Sequence, residues 1–102
     1  MATTKKIRGT TSSGYKFSID ADVFKDWRFL KAARKANAAN GEDQLEAGLE
    51  LVALLFNDPV EEEKFYSHLA NQHGGRVPTE VVGKEVGEIM KVVQDKSKDA
   101  KN

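Results

Sequence analysis

The side chains that could do chemistry in this chain are two histidines and a run of three carboxylates. His68 and His73 lie five residues apart near the end of a predicted helix, whereas histidine ligands on one helix usually stand about three or four residues apart. Glu61–Glu63 lies at a predicted helix N-terminus, where the helix dipole stabilises negative charge. Nothing nearby suggests a pocket that would separate two carboxyl pKa values, as acid–base catalysis requires. We therefore predict neither a metal site nor a catalytic carboxylate pair.

A glycine pair and the hydroxyl side chains also lack a catalytic context. Gly74-Gly75-Arg76 has neither the glycine spacing nor the following Lys-Ser/Thr of a phosphate-binding loop. The serines and threonines cluster near the N-terminus, and neither histidine is close to them in sequence. The chain contains no cysteine, so it has no disulfide and no thiolate ligand. We predict a protein that is not an enzyme and needs no cofactor.

The charge is balanced overall but unevenly distributed. The chain of 102 residues, one domain by size, has 16 Lys and Arg against 16 Asp and Glu. Residues 1–41 hold nine basic and three acidic side chains, whereas residues 42–63 hold eight acidic and no basic ones. A neutral total argues against nucleic acid as a partner, because such binding relies on phosphate neutralisation. The opposed blocks can attract each other within one chain or between copies, and we predict self-association.

The hydropathy of the chain predicts no membrane partner. The longest apolar run, Leu51–Phe56, is far shorter than the roughly 20 residues that span a bilayer. The N-terminus lacks the apolar core of a signal peptide.

The hydrophobic periodicity predicts a mainly α protein, a compact bundle of about four helices with one short N-terminal strand or hairpin. Tyr15–Ile19 alternates in the manner of a half-buried strand, and Asp22–Ala36 follows with helical spacing. Asp20 or Asp22 would cap that helix. The other helices are predicted to begin at an Asp43-x-x-Glu46 capping arrangement, at Asp58-Pro59 and at Val77-Pro78-Thr79. The chain as a whole is predicted to have three regions, a flexible arm at 1–14, a helical domain at 15–95 and a flexible tail at 96–102.

The aromatic residues are predicted to form the core. Trp27 shares a helical face with Leu30, so we expect its side chain to be largely buried. The other aromatic side chains expected in this cluster are Phe17, Phe24, Phe29, Phe65 and Tyr66.

Two predicted helices carry apolar surface that suggests a partner. The second helix is apolar on most sides, so either it is the centre of the fold or part of it meets another chain. The fourth helix is β-branched and contains Gly83 and Gly87, which disfavour a helix that stands alone. We therefore expect the fourth helix to order fully only against a partner. The predicted partner-binding residues are Leu51, Leu54, Val82, Val86, Ile89 and Val93.

Several segments, taken in order, resemble the tail assembly chaperones of long-tailed (siphovirus-type) bacteriophages. The similarity covers about residues 15–93 and is one of pattern and order. The segments are YKFSID, DVFKDWRFLKAARKA, the leucine-rich second helix, KFYSHL and GGRVPTEVVGKEVGEIM.

This resemblance implies a small helical protein of the host cytoplasm that acts in viral morphogenesis. Such a chaperone binds the tape measure protein, keeps it soluble and assists polymerisation of the tail tube, with the major tail protein as a second partner. It is absent from the mature virion. The resemblance implies no catalytic or cofactor-binding residue.

An alternative is a ribbon-helix-helix DNA-binding regulator. In that case a basic arm (Lys5, Lys6, Arg8) would precede the strand Tyr15–Ile19, two copies would intertwine, and Lys16 and Ser18 would face the major groove. The two further helices and the acidic block count against this alternative.

Overall fold

Four helices follow an N-terminal β-hairpin in the computed structural model, which describes residues 5–38 and 40–99, with side chains as far as Lys96. The predicted fold class is confirmed. The elements are strands β1 (Lys6–Thr10) and β2 (Lys16–Asp20), a single 3-10 turn (Val23–Lys25), and helices α1 (Trp27–Ala38), α2 (Glu42–Phe56), α3 (Pro59–Gln72) and α4 (Thr79–Asp99).

The hairpin corrects the prediction of a flexible arm at 1–14. β1 pairs antiparallel with β2, with Ile7 opposite Ile19 and Gly9 opposite Phe17. Ile7, Phe17 and Ile19 point into the core, which gives β1 a reason to be ordered despite its polar composition. Residues 1–4 of the predicted arm lie outside the described part of the chain.

The first helix begins later than predicted. Val23–Lys25 forms a 3-10 turn, Asp26 is extended, and α1 starts at Trp27. The capping residue is Asp26 rather than Asp20 or Asp22, because its carboxylate accepts a 2.9 Å hydrogen bond from the Arg28 amide. The Arg28 side chain also bonds this carboxylate, and these contacts hold the pKa of Asp26 below its usual value.

The other helix ends agree with their predicted positions and caps to different degrees. Asp58 caps α3 by accepting from the amides of Val60 and Glu61, with Pro59 in the first turn as predicted. The predicted Asp43-x-x-Glu46 cap is wrong. Gly41 precedes α2 with a φ of 63° and makes no side-chain capping bond. The helix α4 extends to Asp99, which corrects the start of the predicted flexible tail; residues 100–102 lie outside the described part of the chain.

The core lies between the inner face of the hairpin and the four helices. Phe65 and Leu69 of α3 are fully buried, as are Ile89 and Val93 of α4. Tyr15 packs edge-on against Phe65, with ring centroids 5.3 Å apart. Of the predicted aromatic cluster, Phe17, Phe29 and Phe65 are buried, whereas Phe24 and Tyr66 pack against the core from its edge.

Trp27 is the main exception to the predicted core. Its side chain is 75% exposed, whereas Phe29, two residues later, is fully buried. The interruption at Asp26 turns the helix so that Phe29 and Ala32 face inward. The prediction that Trp27 is buried is therefore wrong.

Candidate functional site

An apolar groove lies where α1, α2 and α4 meet, and its volume is about 920 Å³. Its lining comes from residues within 33–37 of α1, 44–52 of α2 and 79–90 of α4, together with Tyr66 of α3 and Val77 just before α4. Its lining includes no charged side chain among the described residues; the polar ones are Asn37, Gln44, Tyr66 and Thr79. Such a surface can bind an apolar segment without a directional ionic contact.

Three glycines widen this groove. Gly83 and Gly87 stand one turn apart on α4, and Gly48 lies on α2. A Cβ atom added at any of the three would meet no heavy atom outside the local helix within 4 Å. The glycines therefore leave space in the groove rather than permit close packing within the chain.

Two leucines of α2 stand at the groove with much of their surface exposed. Leu45 is 50% exposed and Leu49 is 62% exposed. Exposed leucines beside a contiguous apolar groove differ from scattered surface leucines, because a continuous patch marks a binding surface more often than isolated residues do.

The structure divides the six predicted partner-binding residues into three sets. Leu51, Val82 and Val86 line the groove, although Leu51 and Val86 are also buried in the core. Ile89 and Val93 are fully buried on the inner face of α4. Leu54 packs against the core without lining the groove. In the structure, the apolar stripe of α4 packs against the core of the same chain. That α4 orders fully only against a partner stays a prediction.

The exposed face of the groove is not evident from the sequence. Leu45 and Leu49 lie on the broad apolar face of the second helix, yet they are the exposed large hydrophobic residues of the lining. From the sequence, Gly83 and Gly87 are expected to weaken the helix, and they lie one turn apart, which could allow another backbone to approach closely. Their i, i+4 spacing was the available signal, because it puts two missing side chains on one face.

A polar cluster elsewhere joins the hairpin loop to α4. The carboxylate of Glu85, which is 1% exposed, accepts hydrogen bonds from the hydroxyls of Ser12 and Ser13 at 3.1 and 2.6 Å. Glu88 accepts from the Ser12 amide and hydroxyl, both at 2.7 Å. Burial alone would raise the pKa of Glu85, but the hydrogen bonds from Ser13, Thr11 and Ser12 outweigh it and lower the pKa. These hydrogen bonds fix the loop against α4, and the Ser13 hydroxyl also lies 3.2 Å from Nε2 of His68.

The residues that sequence analysis considered for chemistry have structural contacts. The Nε2 atom of His68 lies 3.1 Å from the Ser13 carbonyl oxygen, and His73 follows the end of α3. Tyr15 donates from its hydroxyl to Glu61, and burial together with the Glu61 charge raises the pKa of Tyr15 to about 12. Among the side chains that the structure describes, no three His, Asp or Glu residues are grouped to hold a metal ion.

The described helices can be compared with a membrane span by their length and hydropathy. Across the described ranges, none of them combines the length and the apolar character that crossing a bilayer requires.

Comparison of the chain with protein-family models, with curated proteins and with solved structures finds no match in any of the three.

Proposed function

We propose that this chain is a phage tail assembly chaperone that acts in the host cytoplasm. It binds the tape measure protein, keeps it soluble, assists polymerisation of the tail tube and is absent from the mature virion. The proposal rests on the sequence resemblance together with one structural observation, the apolar groove between α1, α2 and α4. We propose a binding protein rather than an enzyme.

The groove suits a long client with many similar segments. Its contacts are apolar, and apolar burial is non-directional and roughly proportional to area. A groove of this kind accepts many apolar helix faces of similar size rather than one sequence. Because the described residues of the groove form no buried ion pair, each contact with the client contributes only a modest binding free energy. The client can therefore be released when the tail tube covers the client's apolar surface.

The hairpin counts against the DNA-binding alternative. In a ribbon-helix-helix dimer the single strand of each chain pairs with that of its partner. Here β2 pairs along Lys16–Asp20 with β1 of the same chain. The outward residues Arg8, Lys16 and Ser18 then belong to an intrachain hairpin, which carries two additional helices behind it.

Co-expression with the tape measure protein tests the proposal. We expect the soluble fraction of the tape measure protein to rise several-fold when this chain is present, and the two to co-purify. A titration of duplex DNA from the surrounding genes distinguishes the alternative. Sequence-dependent nanomolar binding at physiological salt, lost in Lys16→Ala, together with no effect on the tape measure protein, would replace the proposal with the regulator.

A further inference from the structure

The exposed face of α1 carries an aromatic residue in line with two cations. Trp27, Lys31 and Arg34 follow at i, i+4 and i+7, so they stand one above the other on one side of the helix. All three are exposed, and Leu30, 39% exposed, lies beside Trp27. We call Trp27, Lys31 and Arg34 the basic line.

The exposed face of α2 carries a matching line of acids. Asp43, Glu46 and Glu50 follow at i, i+3 and i+7 and are all exposed. We call these three residues the acidic line. Residues 42–63 contain no basic side chain, so nothing on α2 neutralises the acidic line.

The two lines do not neutralise each other within the chain. Among the described residues, the ion pairs are Lys25 with Asp22, Arg28 with Asp26 and Lys64 with Glu61, and none of these involves either line. The helix α2 follows α1 after a short connection and packs along it. Both lines lie on the solvent side of this helix pair, away from the buried Phe29 and Leu55.

We propose that a second copy of this chain docks on the outer face of the α1–α2 pair, with the basic line of each copy against the acidic line of the other. Because both lines are on one chain, a two-fold axis forms both contacts at once, as an isologous interface requires. Trp27 and Leu30 supply the apolar contact of each half, since exposed tryptophans beside charges are typical anchors of interfaces. This surface is separate from the groove, so a dimer leaves both grooves open.

Charge complementarity favours a second copy over nucleic acid as the occupant. A phosphate backbone would be attracted by Lys31 and Arg34 but repelled by the acidic line on the adjacent helix. A second copy satisfies both lines with one contact surface.

Paired charge reversals test the interface. One variant carries Lys31→Glu and Arg34→Glu, a second carries Glu46→Lys and Glu50→Lys, and the control carries Glu63→Lys on α3. Each paired variant places like charges opposite each other in its own dimer, so we expect its dimer dissociation constant to rise about tenfold or more. Light scattering after size exclusion at low salt measures the state of each protein, and circular dichroism verifies its fold.

Mixing the two paired variants gives the decisive result. In the mixed dimer the reversed basic line of the first variant faces the reversed acidic line of the second. The native acidic line of the first variant faces the native basic line of the second, so both contacts join opposite charges. We expect two monomeric variants to form dimers on mixing, with a blue shift in the emission of Trp27, the only tryptophan. A wild-type chain that stays monomeric at low salt, a variant that dimerises like the wild type, or a mixture that stays monomeric would overturn the proposal.

Discussion

Ser13 in the hairpin loop donates a 2.6 Å hydrogen bond from its Oγ to Oε1 of Glu85 on α4, across 72 positions of the sequence. Ser12 adds a second hydroxyl to the same carboxylate, and Gln72 of α3 donates to the Ser13 carbonyl at 2.8 Å. The hairpin loop is thus fixed to α4 by the buried carboxylate of Glu85 and to α3 by the side-chain amide of Gln72.

Replacing Glu85 with Gln is expected to destabilise the fold. The substitution keeps the shape but removes the charge, and hydrogen bonds to a charged group contribute about 1.5–3 kcal/mol. We expect the free energy of unfolding at pH 7 to fall by about 1–3 kcal/mol in urea titrations. Asp95→Asn, at an exposed position on the same helix and outside its first turn, is the matched control and should change stability by less than about 0.5 kcal/mol.

The stability of the wild type should depend on pH through the same residue. The pKa of Glu85 is lowered in the folded state from an ordinary value of 4.5, so near and below that pH the unfolded chain binds more protons than the folded one. The stabilisation from the Glu85 carboxylate is complete above the pKa that Glu85 has in the unfolded chain. It is lost as the pH falls through the lower pKa that Glu85 has in the folded chain. We expect urea midpoints to fall more steeply below about pH 4.5 for the wild type than for Glu85→Gln. Parallel curves for the two proteins would contradict the role of Glu85.

Two glycines should respond in opposite directions to substitution by alanine. A Cβ at Gly9 would lie 2.6 Å from Cζ of the buried Phe17 ring, whereas a Cβ at Gly83 would meet no heavy atom outside its own helix within 4 Å. We expect Gly9→Ala to cost about 1–3 kcal/mol because the core is overpacked. Gly83→Ala should gain about 0.5–1 kcal/mol from helix propensity. Thermal unfolding measures both, and a stabilised Gly9→Ala would show that the Phe17 ring moves aside freely.

Neighbouring aromatic residues on α1 should also differ in their contribution. Phe29 is fully buried and Trp27 is 75% exposed. Phe29→Ala is expected to cost about 3–5 kcal/mol, and Trp27→Ala less than about 0.5 kcal/mol in dilute solution. Denaturant titration followed by circular dichroism measures both free energies without relying on tryptophan emission. Similar losses for the two variants would mean that Trp27 packs in the core after all.

The parts of this fold that periodicity encodes were predictable from the sequence. The helix stripes of α3 and α4 and the Asp58-Pro59 start depend on nearby residues, so the sequence alone indicates them. The sequence left open whether β2 stands alone or belongs to a hairpin, because the order of β1 comes from pairing with β2 and from the Phe17 ring over Gly9. Those contacts form only in the folded hairpin.

The groove could be predicted only in part for the same reason. A helical pattern gives the relative angles of residues on one helix, but it does not give the rotation of that helix against its neighbours. The break at Asp26 turned Trp27 outward, and the packing of α2 left Leu45 and Leu49 at the groove rather than in the core. The space at Gly83 and Gly87 lies between α1, α2 and α4, so it forms only when these helices pack together.

Filling the groove tests its role in client binding most directly. Gly83→Leu places a side chain in open space, without loss of any core contact, and Lys84→Leu, on the next residue outside the groove lining, is the matched control. Val86→Asp is less suitable because Val86 is also core, so a buried charge would unfold the chain. Both leucine variants should keep the thermal stability of the wild type or exceed it.

The measurement is the soluble fraction of the tape measure protein when it is co-expressed with each variant. We predict that the wild type and Lys84→Leu keep the tape measure protein soluble, whereas Gly83→Leu, although folded, leaves it mostly insoluble. If Gly83→Leu keeps the tape measure protein as soluble as the wild type does, the groove is not the client-binding site and the central claim is wrong.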